Sequence, residues 1–263
     1  MTRKKIPRRV GLARALSKLG YCSRSAAFDL IQAGRVRLNG ATRRDPEAPV
    51  RLEEDSIEVD GRRLASEAKV YLVLNKPRGA VTTASDEKGR QTVYSFLGPE
   101  FVKRDRPWVA PVGRLDKASE GMLLFTNDSE WAARVLAPET HLEKTYHVQI
   151  RMVADAALLE ALARGVKTKG EGLLRARKVS VVRGGERSSW LEIVLDEGKN
   201  RQIRRMLDQL GVEVLRLVRV AIGPVQLGQL PKGGVRFLTP VEKQAIDQAM
   251  QNRKSRDPGV SPS

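Results

Sequence analysis

The sequence predicts an α+β chain: a small module of two helices and short strands, then a larger domain on a mixed, mostly antiparallel sheet with flanking helices. Three observations point there. Apolar residues recur at helical spacing over 12–19 and again over 26–31. Strict alternation runs through Lys144-Thr145-Tyr146-His147-Val148-Gln149-Ile150. Residues 201–210 carry apolar side chains on one helical face and arginines roughly opposite.

Composition narrows the function classes. The 263 residues include 48 Lys and Arg against 31 Asp and Glu, a net charge of +17. A globular chain this basic expects a polyanionic partner, with nucleic acid ahead of a membrane surface. No apolar run approaches the ~18 residues of a spanning helix, and no signal-peptide core follows the basic start. Cys22 is the sole cysteine, so an internal disulfide and a multi-cysteine zinc site are excluded. His141 and His147 lack the spacing of a metal motif, so no metal is expected. A reducing cytoplasm is the expected compartment, and a monomer the default state.

Residues 1–9 read as a disordered basic arm whose Arg8 suits phosphate contact. Leu12, Ala13, Ala15, Leu16 and Leu19 make a first helix that Gly20 ends. Ser23 caps a second, in which Ala26, Ala27, Leu30 and Ile31 share a face and Gly34 is the stop. Residues 35–40 predict a strand with arginines on its outer face, closed by the Asn39-Gly40 turn. A further strand around Ile57 and Val59 ends at Asp60-Gly61. The module, 10–62, leaves Arg24, Arg35 and Arg37 outward; a solvated face explains them as well as RNA does. Its string Ser23-Arg24-Ser25-Ala26-Ala27, then Ile31 to Val36, then Leu38-Asn39-Gly40, resembles the alpha-L RNA-binding module of a small-subunit ribosomal protein and of bacterial tyrosyl-tRNA synthetases.

Residues 63–69 are polar and read as a linker to a domain over 70–250. Val70-Tyr71-Leu72-Val73-Leu74 suits a buried strand, and Asn75-Lys76-Pro77-Arg78-Gly79 turns the chain. Residues 84–108 read as a long loop in which Lys88, Arg90, Lys103 and Arg104 suit RNA. A helix is predicted near 129–136, another over 154–163, and a strand over 190–195. Asn200 is the expected cap of the helix 201–210, in which Ile203, Met206, Leu207 and Leu210 recur at core spacing. A strand over 212–220 follows. The tail 251–263 reads as disordered.

The stretch 111–128 invites the sharpest reading. Gly113 and Gly121 bracket a short charged loop with Asp116 at its middle, Arg114 and Lys117 beside it, and an apolar strand behind. A loop presenting one carboxylate from a rigid strand suits catalysis, and an ordinary turn aspartate is the alternative. For Tyr146, alternation by itself favours a core aromatic; for the helix arginines, a solvated face. Neither histidine has the surroundings of a hydrolytic base, and no Gly-rich phosphate loop is present. What survives is a single-carboxylate mechanism on a polyanion.

Taken together, the chain resembles the rRNA pseudouridine synthases of the RsuA/RluB type. The resemblance runs through Asn75-Lys76-Pro77-Arg78-Gly79, Gly113-Arg114-Leu115-Asp116, Gly121 to Asp128, Lys144-Thr145-Tyr146, Glu197 to Met206 and Leu230-Pro231-Lys232-Gly233. Met122 stands where the family more often has leucine. The resemblance implies uridine isomerisation in ribosomal RNA or a subunit precursor, large-subunit rRNA first, without a cofactor. It implies that Asp116 is the catalytic aspartate, that Tyr146 stacks on the target base and that Arg204 pairs with the aspartate. Arg205 or Lys199 is the fallback for Arg204. Contacts to RNA are expected from Arg8, Arg24, Arg35, Arg37, Arg114, Lys199 and Arg201. A closed pocket around an ionised Asp116 is expected too.

Overall fold

The computed structural model describes residues 9–65, 67–84, 86–101, 107–168 and 172–251. Arg8 with most of the basic arm, Lys103, Arg104 and the tail from 252 lie outside the described residues. Contacts divide the chain into two units: Met1–Tyr71 with Leu97–Ala110 and Phe125–Ser129, and Leu72–Phe96 with Pro111–Leu124 and Glu130–Ser263. No described helix is long and apolar enough to cross a membrane.

The first unit begins with helices Leu12–Lys18 and Arg24–Gln32. Ser23 caps the second: its hydroxyl accepts from the Ala26 amide at 3.2 Å. Strand Val36–Leu38 pairs antiparallel with Ala41–Arg43 and with Ile57–Val59. Asn39 and Gly40 both have positive φ, 53° and 80°, which is the left-handed pair a two-residue hairpin requires. Leu12, Leu16, Ala27, Ile31, Val36 and Val59 form the core. The alternation is as expected: Val36 and Leu38 are buried and Arg37 is exposed. Arg24 is exposed, and Arg35 is held in a bidentate pair with Asp60 at 2.8 and 2.5 Å. Two-residue strands at Val10–Gly11 and Pro49–Val50 are too short for periodicity to reveal. In the same unit Asn127 accepts from the Val70 amide and donates to Ala68 O, tying down part of the expected linker.

The second unit is built on a large sheet. Its strands run in the order Lys178–Gly184, Ser189–Leu195, Lys144–Ile150, Val214–Ile222, Glu120–Thr126, Tyr71–Lys76 and Val235–Phe237. Val214–Ile222 pairs parallel with Glu120–Thr126. It pairs antiparallel with Lys144–Ile150, which pairs antiparallel with Ser189–Leu195. Helices Ala156–Arg164 and Gln202–Gln209 contribute Leu158, Leu162, Ile203, Met206 and Leu207 to a core with Val148, Ile150, Leu191 and Ile193. Tyr146 is half-buried against that core, in keeping with the face that alternation assigns it. Strands Lys178–Gly184 and Val235–Phe237 and the helix Pro240–Gln251 were not legible in the sequence. The first two lie at the two ends of the sheet order, where half-exposed residues blur the pattern.

One helix start differs from expectation. Asn200 is not the cap; Arg201 occupies the N-cap with left-handed φ 48° and no side-chain cap bond. A left-handed arginine costs roughly 1–2 kcal/mol, and such strain collects where a side chain must be aimed.

Gly121 decides how closely the strand behind the Asp116 loop approaches its neighbour. Its φ is +101°, and a Cβ there would lie 2.3 Å from Arg219 O and 2.7 Å from Arg219 N. Gly121→Ala should therefore cost more than about 3 kcal/mol in urea unfolding, since rigid backbone must separate. A loss below about 1 kcal/mol would show that the two strands part freely.

Candidate active site

The Asp116 loop is held by its carbonyls, and five consecutive ones have donors. Thr82 Oγ1 donates to Leu115 O at 2.8 Å. Lys76 Nζ donates to Asp116 O at 3.1 Å and to Ser119 O at 2.8 Å. The Gly79 amide donates to Lys117 O at 2.8 Å, and Arg204 Nη2 to Ala118 O at 3.0 Å. A loop without regular structure thus gains the backbone satisfaction that a helix or strand would have. Lys76 itself is fully buried and also donates to Pro77 O. Burial pushes its ammonium down to about 8, against the pull of Asp116 and Glu120.

Behind the loop, Glu120 is 3% exposed and grips the sheet. Arg216 binds both its oxygens at 3.0 Å, and Lys232 reaches one at 2.9 Å. Burial opposes its ionisation, but the two cations outweigh burial and hold the carboxyl below the usual range.

Asp116 lines a cavity of about 220 Å³ in the second unit, together with Tyr146. The guanidinium within reach of its carboxylate belongs to Arg201, at 3.4 Å. Arg204 lines the same cavity but spends its Nη2 on the loop carbonyl of Ala118. The direct pairing of Arg204 with Asp116 is therefore not a contact of this structure: the left-handed start of the helix swings Arg201 there instead. Of the fallbacks, Arg205 donates to Thr168 Oγ1 and Lys199 pairs with Glu197. Burial, then the neighbouring Arg201, lower the basicity of Arg204, while Asp116 raises it. The pocket is more open than anticipated, with the Asp116 side chain 36% exposed.

Charge in the cavity is lopsided. Asp116 is its one lining carboxylate among the described residues, facing Arg114, Lys144, Lys199, Arg201, Arg204 and Arg219. Arg114, Lys199 and Arg201 are exposed, whereas Arg219 is buried. Among the described residues, three buried side-chain atoms have no hydrogen-bond partner: Gln202 Oε1, Arg204 Nε and Arg219 Nη2. All three belong to residues lining this cavity. Orphaned buried polar atoms are rare in folded proteins, and their collection in one place marks a site shaped for something other than itself.

Sequence reasoning brought Asp116, Tyr146, Arg204, Arg114, Lys199 and Arg201 to one cavity and left out Lys76, Lys144 and Arg219. Lys76 had a faint signal, a lysine just past the apolar run 70–74 and Asn75, with proline after it. Arg219 had none, because an arginine in an alternating strand reads as solvent-facing.

Residues 70–209 match the RNA pseudouridylate synthase family, and residues 10–57 match the S4 domain. A Bacillus subtilis (strain 168) protein named ribosomal large subunit pseudouridine synthase B is 34% identical over 232 residues, 88% of this chain and 93% of its own length. A Yersinia pestis protein of the same name is 36% identical over 229 residues, 85% of this chain and 70% of its own length. A solved pseudouridylate synthase structure matches with TM-score 0.64 at 28% identity, over 90% of this chain and 99% of that one. The matched span includes the strands Tyr71–Lys76, Glu120–Thr126 and Lys144–Ile150, the Asp116 loop, Tyr146 and the arginine helix, and the chain belongs to the RNA pseudouridylate synthase family, isomerases of uridine, with an S4 domain at its amino-terminal end.

Proposed function

We propose that this enzyme isomerises a uridine of ribosomal RNA, in the large subunit or its precursor, using Asp116 as the single catalytic carboxylate on a flipped-out nucleotide. The observation that carries the reading is the cavity's charge: one carboxylate among six cations, beside a half-buried tyrosine. A polyanion enters such a site favourably, and among the described residues no second carboxylate lines it for a paired acid–base mechanism. The names of the relatives in Bacillus subtilis and Yersinia pestis favour large-subunit rRNA.

The chemistry divides among the residues. The C1′–N1 bond breaks and uracil leaves with the electron pair. The Asp116 carboxylate either bonds to C1′ or takes a sugar proton. The base turns and C5 bonds to C1′, which breaks the Asp116–C1′ bond or is accompanied by return of the sugar proton from Asp116. C5 then loses its proton and N1 gains one, so the product is an isomer and the carboxylate is regenerated. Flipping the nucleotide costs a few kcal/mol. Stacking on Tyr146 returns about 1–3 kcal/mol, so contacts to phosphate must supply the remainder. Arg114, Lys199 and Arg201 at the site, with Arg24, Arg35 and Arg37 on the S4 domain, are the residues assigned to those contacts. Arg35 would have to share its guanidinium with Asp60. Bound RNA would also cover the exposed third of Asp116.

The test is a pseudouridine map of rRNA from cells with and without this protein, backed by the purified enzyme acting on a large-subunit transcript. One or a few uridines should lose their modification; an unchanged map and an inert enzyme would refute the assignment. Tyr146→Leu should slow single turnover about 10- to 100-fold, in line with the loss of one stacking platform. Tyr146→Phe keeps the ring and should stay within a few fold of the parent. Equal losses in the two variants would move the role from the ring to the hydroxyl.

A further inference from the structure

Arg219 is built into the catalytic cavity at a cost that its structural contacts do not explain. Only 6% of it is exposed, its Nε donates to Met122 O at 2.7 Å, and its Nη2 is buried without a partner. The ladder sets it directly across from Tyr146, next to a register shift that inserts one extra residue in its strand. Bulges of this kind re-aim side chains beside active sites. Gly121 leaves the adjoining strand no room for a Cβ at the same point.

A second cation stands beside it. Lys144 lies two residues before Tyr146, on the same face of its strand, and lines the same cavity. Burial first, and then the charge of Arg219, press its ammonium down to about 8, with only Asp196 in opposition. Two like charges placed together, one buried and one half-buried, leave this part of the cavity short of an anion.

Two anions are available in an RNA substrate. Phosphates follow the backbone, and the exposed Arg114, Lys199 and Arg201 stand ready for them. The part of the cavity next to the Tyr146 ring receives the base, which is neutral when bound and negative once the C1′–N1 bond has broken. The pair left on N1 spreads to O2 and O4, and the charge returns to carbon when C5 rejoins C1′. Donors aimed at charge that exists only during reaction contribute to rate more than to binding. Building on the function proposed above, we infer that Arg219 and Lys144 bind the oxygens of the departing uracil and hold its negative charge while the base turns.

The test compares two large-subunit rRNA transcripts, one made with uridine and one with 5-fluorouridine. Fluorine makes the departing base a more stable anion and blocks loss of a proton from C5, so the second readout is disappearance of 5-fluorouridine. On uridine RNA, Lys144→Met and Arg219→Gln should each slow single turnover roughly 100-fold, with RNA affinity within a few fold. On 5-fluorouridine RNA the loss should shrink to about 10-fold, because a better leaving group needs less help. Lys144→Arg should recover most of the rate. Equal losses on the two RNAs would overturn the inference, and so would a loss confined to RNA affinity. If Arg219→Gln fails to fold after losing its bond to Met122, Lys144→Met decides the matter alone. An unmodified enzyme that converts neither RNA would refute the parent reading as well; one that converts both equally in parent and variants would refute this inference only.

Discussion

Asp116→Asn should reduce single-turnover pseudouridine formation by roughly 10⁴-fold or more, the scale seen when a catalytic group acting within a unit is removed. Asparagine has the same shape and keeps every backbone contact of the loop, since the donors from Lys76, Gly79, Thr82 and Arg204 all go to carbonyls. The pair with Arg201 is exposed on both sides and 3.4 Å long, so its loss should leave thermal stability nearly unchanged. RNA affinity should hold within a few fold or tighten, because a negative charge is withdrawn from among six cations. The combination of intact fold, intact binding and absent product is what separates a reacting carboxylate from a structural one. Product formed within 100-fold of the parent rate would remove Asp116 from the chemistry.

Lys76→Met should damage position rather than reactivity. Methionine is of similar length and can fill the buried space, but Ser119 O and Pro77 O lose their lysine donor and Asp116 O keeps only the Ser119 amide. A buried acceptor left unsatisfied costs about 1–3 kcal/mol. Part of that cost is offset, since the buried ammonium is itself strained, as its depressed pKa of about 8 indicates. A net loss of about 2–3 kcal/mol in urea unfolding is expected. The rate should fall further than stability suggests, by roughly 100-fold, because a shift of about 1 Å in a reacting group carries that scale of penalty. Full activity in a folded Lys76→Met protein would show that the remaining donors suffice to aim the loop.

Much of this protein is legible in one dimension. The helices of the S4 domain follow from apolar spacing, a serine cap and glycine stops, and their core is the one that spacing selects. The strand Lys144–Ile150 and the face carrying Tyr146 follow from alternation, because a period of two leaves one way to bury Val148 and Ile150. The family resemblance placed Asp116, and the contacts around it agree with a loop made rigid for a purpose.

Other features depend on residues far apart in the chain. Which arginine meets Asp116 turns on a single backbone angle: φ of 48° at Arg201 sends that guanidinium to the carboxylate and leaves Arg204 for a loop carbonyl. Helical periodicity is blind to the residue just before a helix begins. The role of Arg219 is silent in the chain and that of Lys76 nearly so, since lysine and arginine read as solvent-facing until a neighbouring strand closes over them. Local pattern specifies elements through short-range sterics and burial of apolar faces. The choice of partner for a long charged side chain depends on how the assembled strands share a small volume, and that arises only when the sheet is complete.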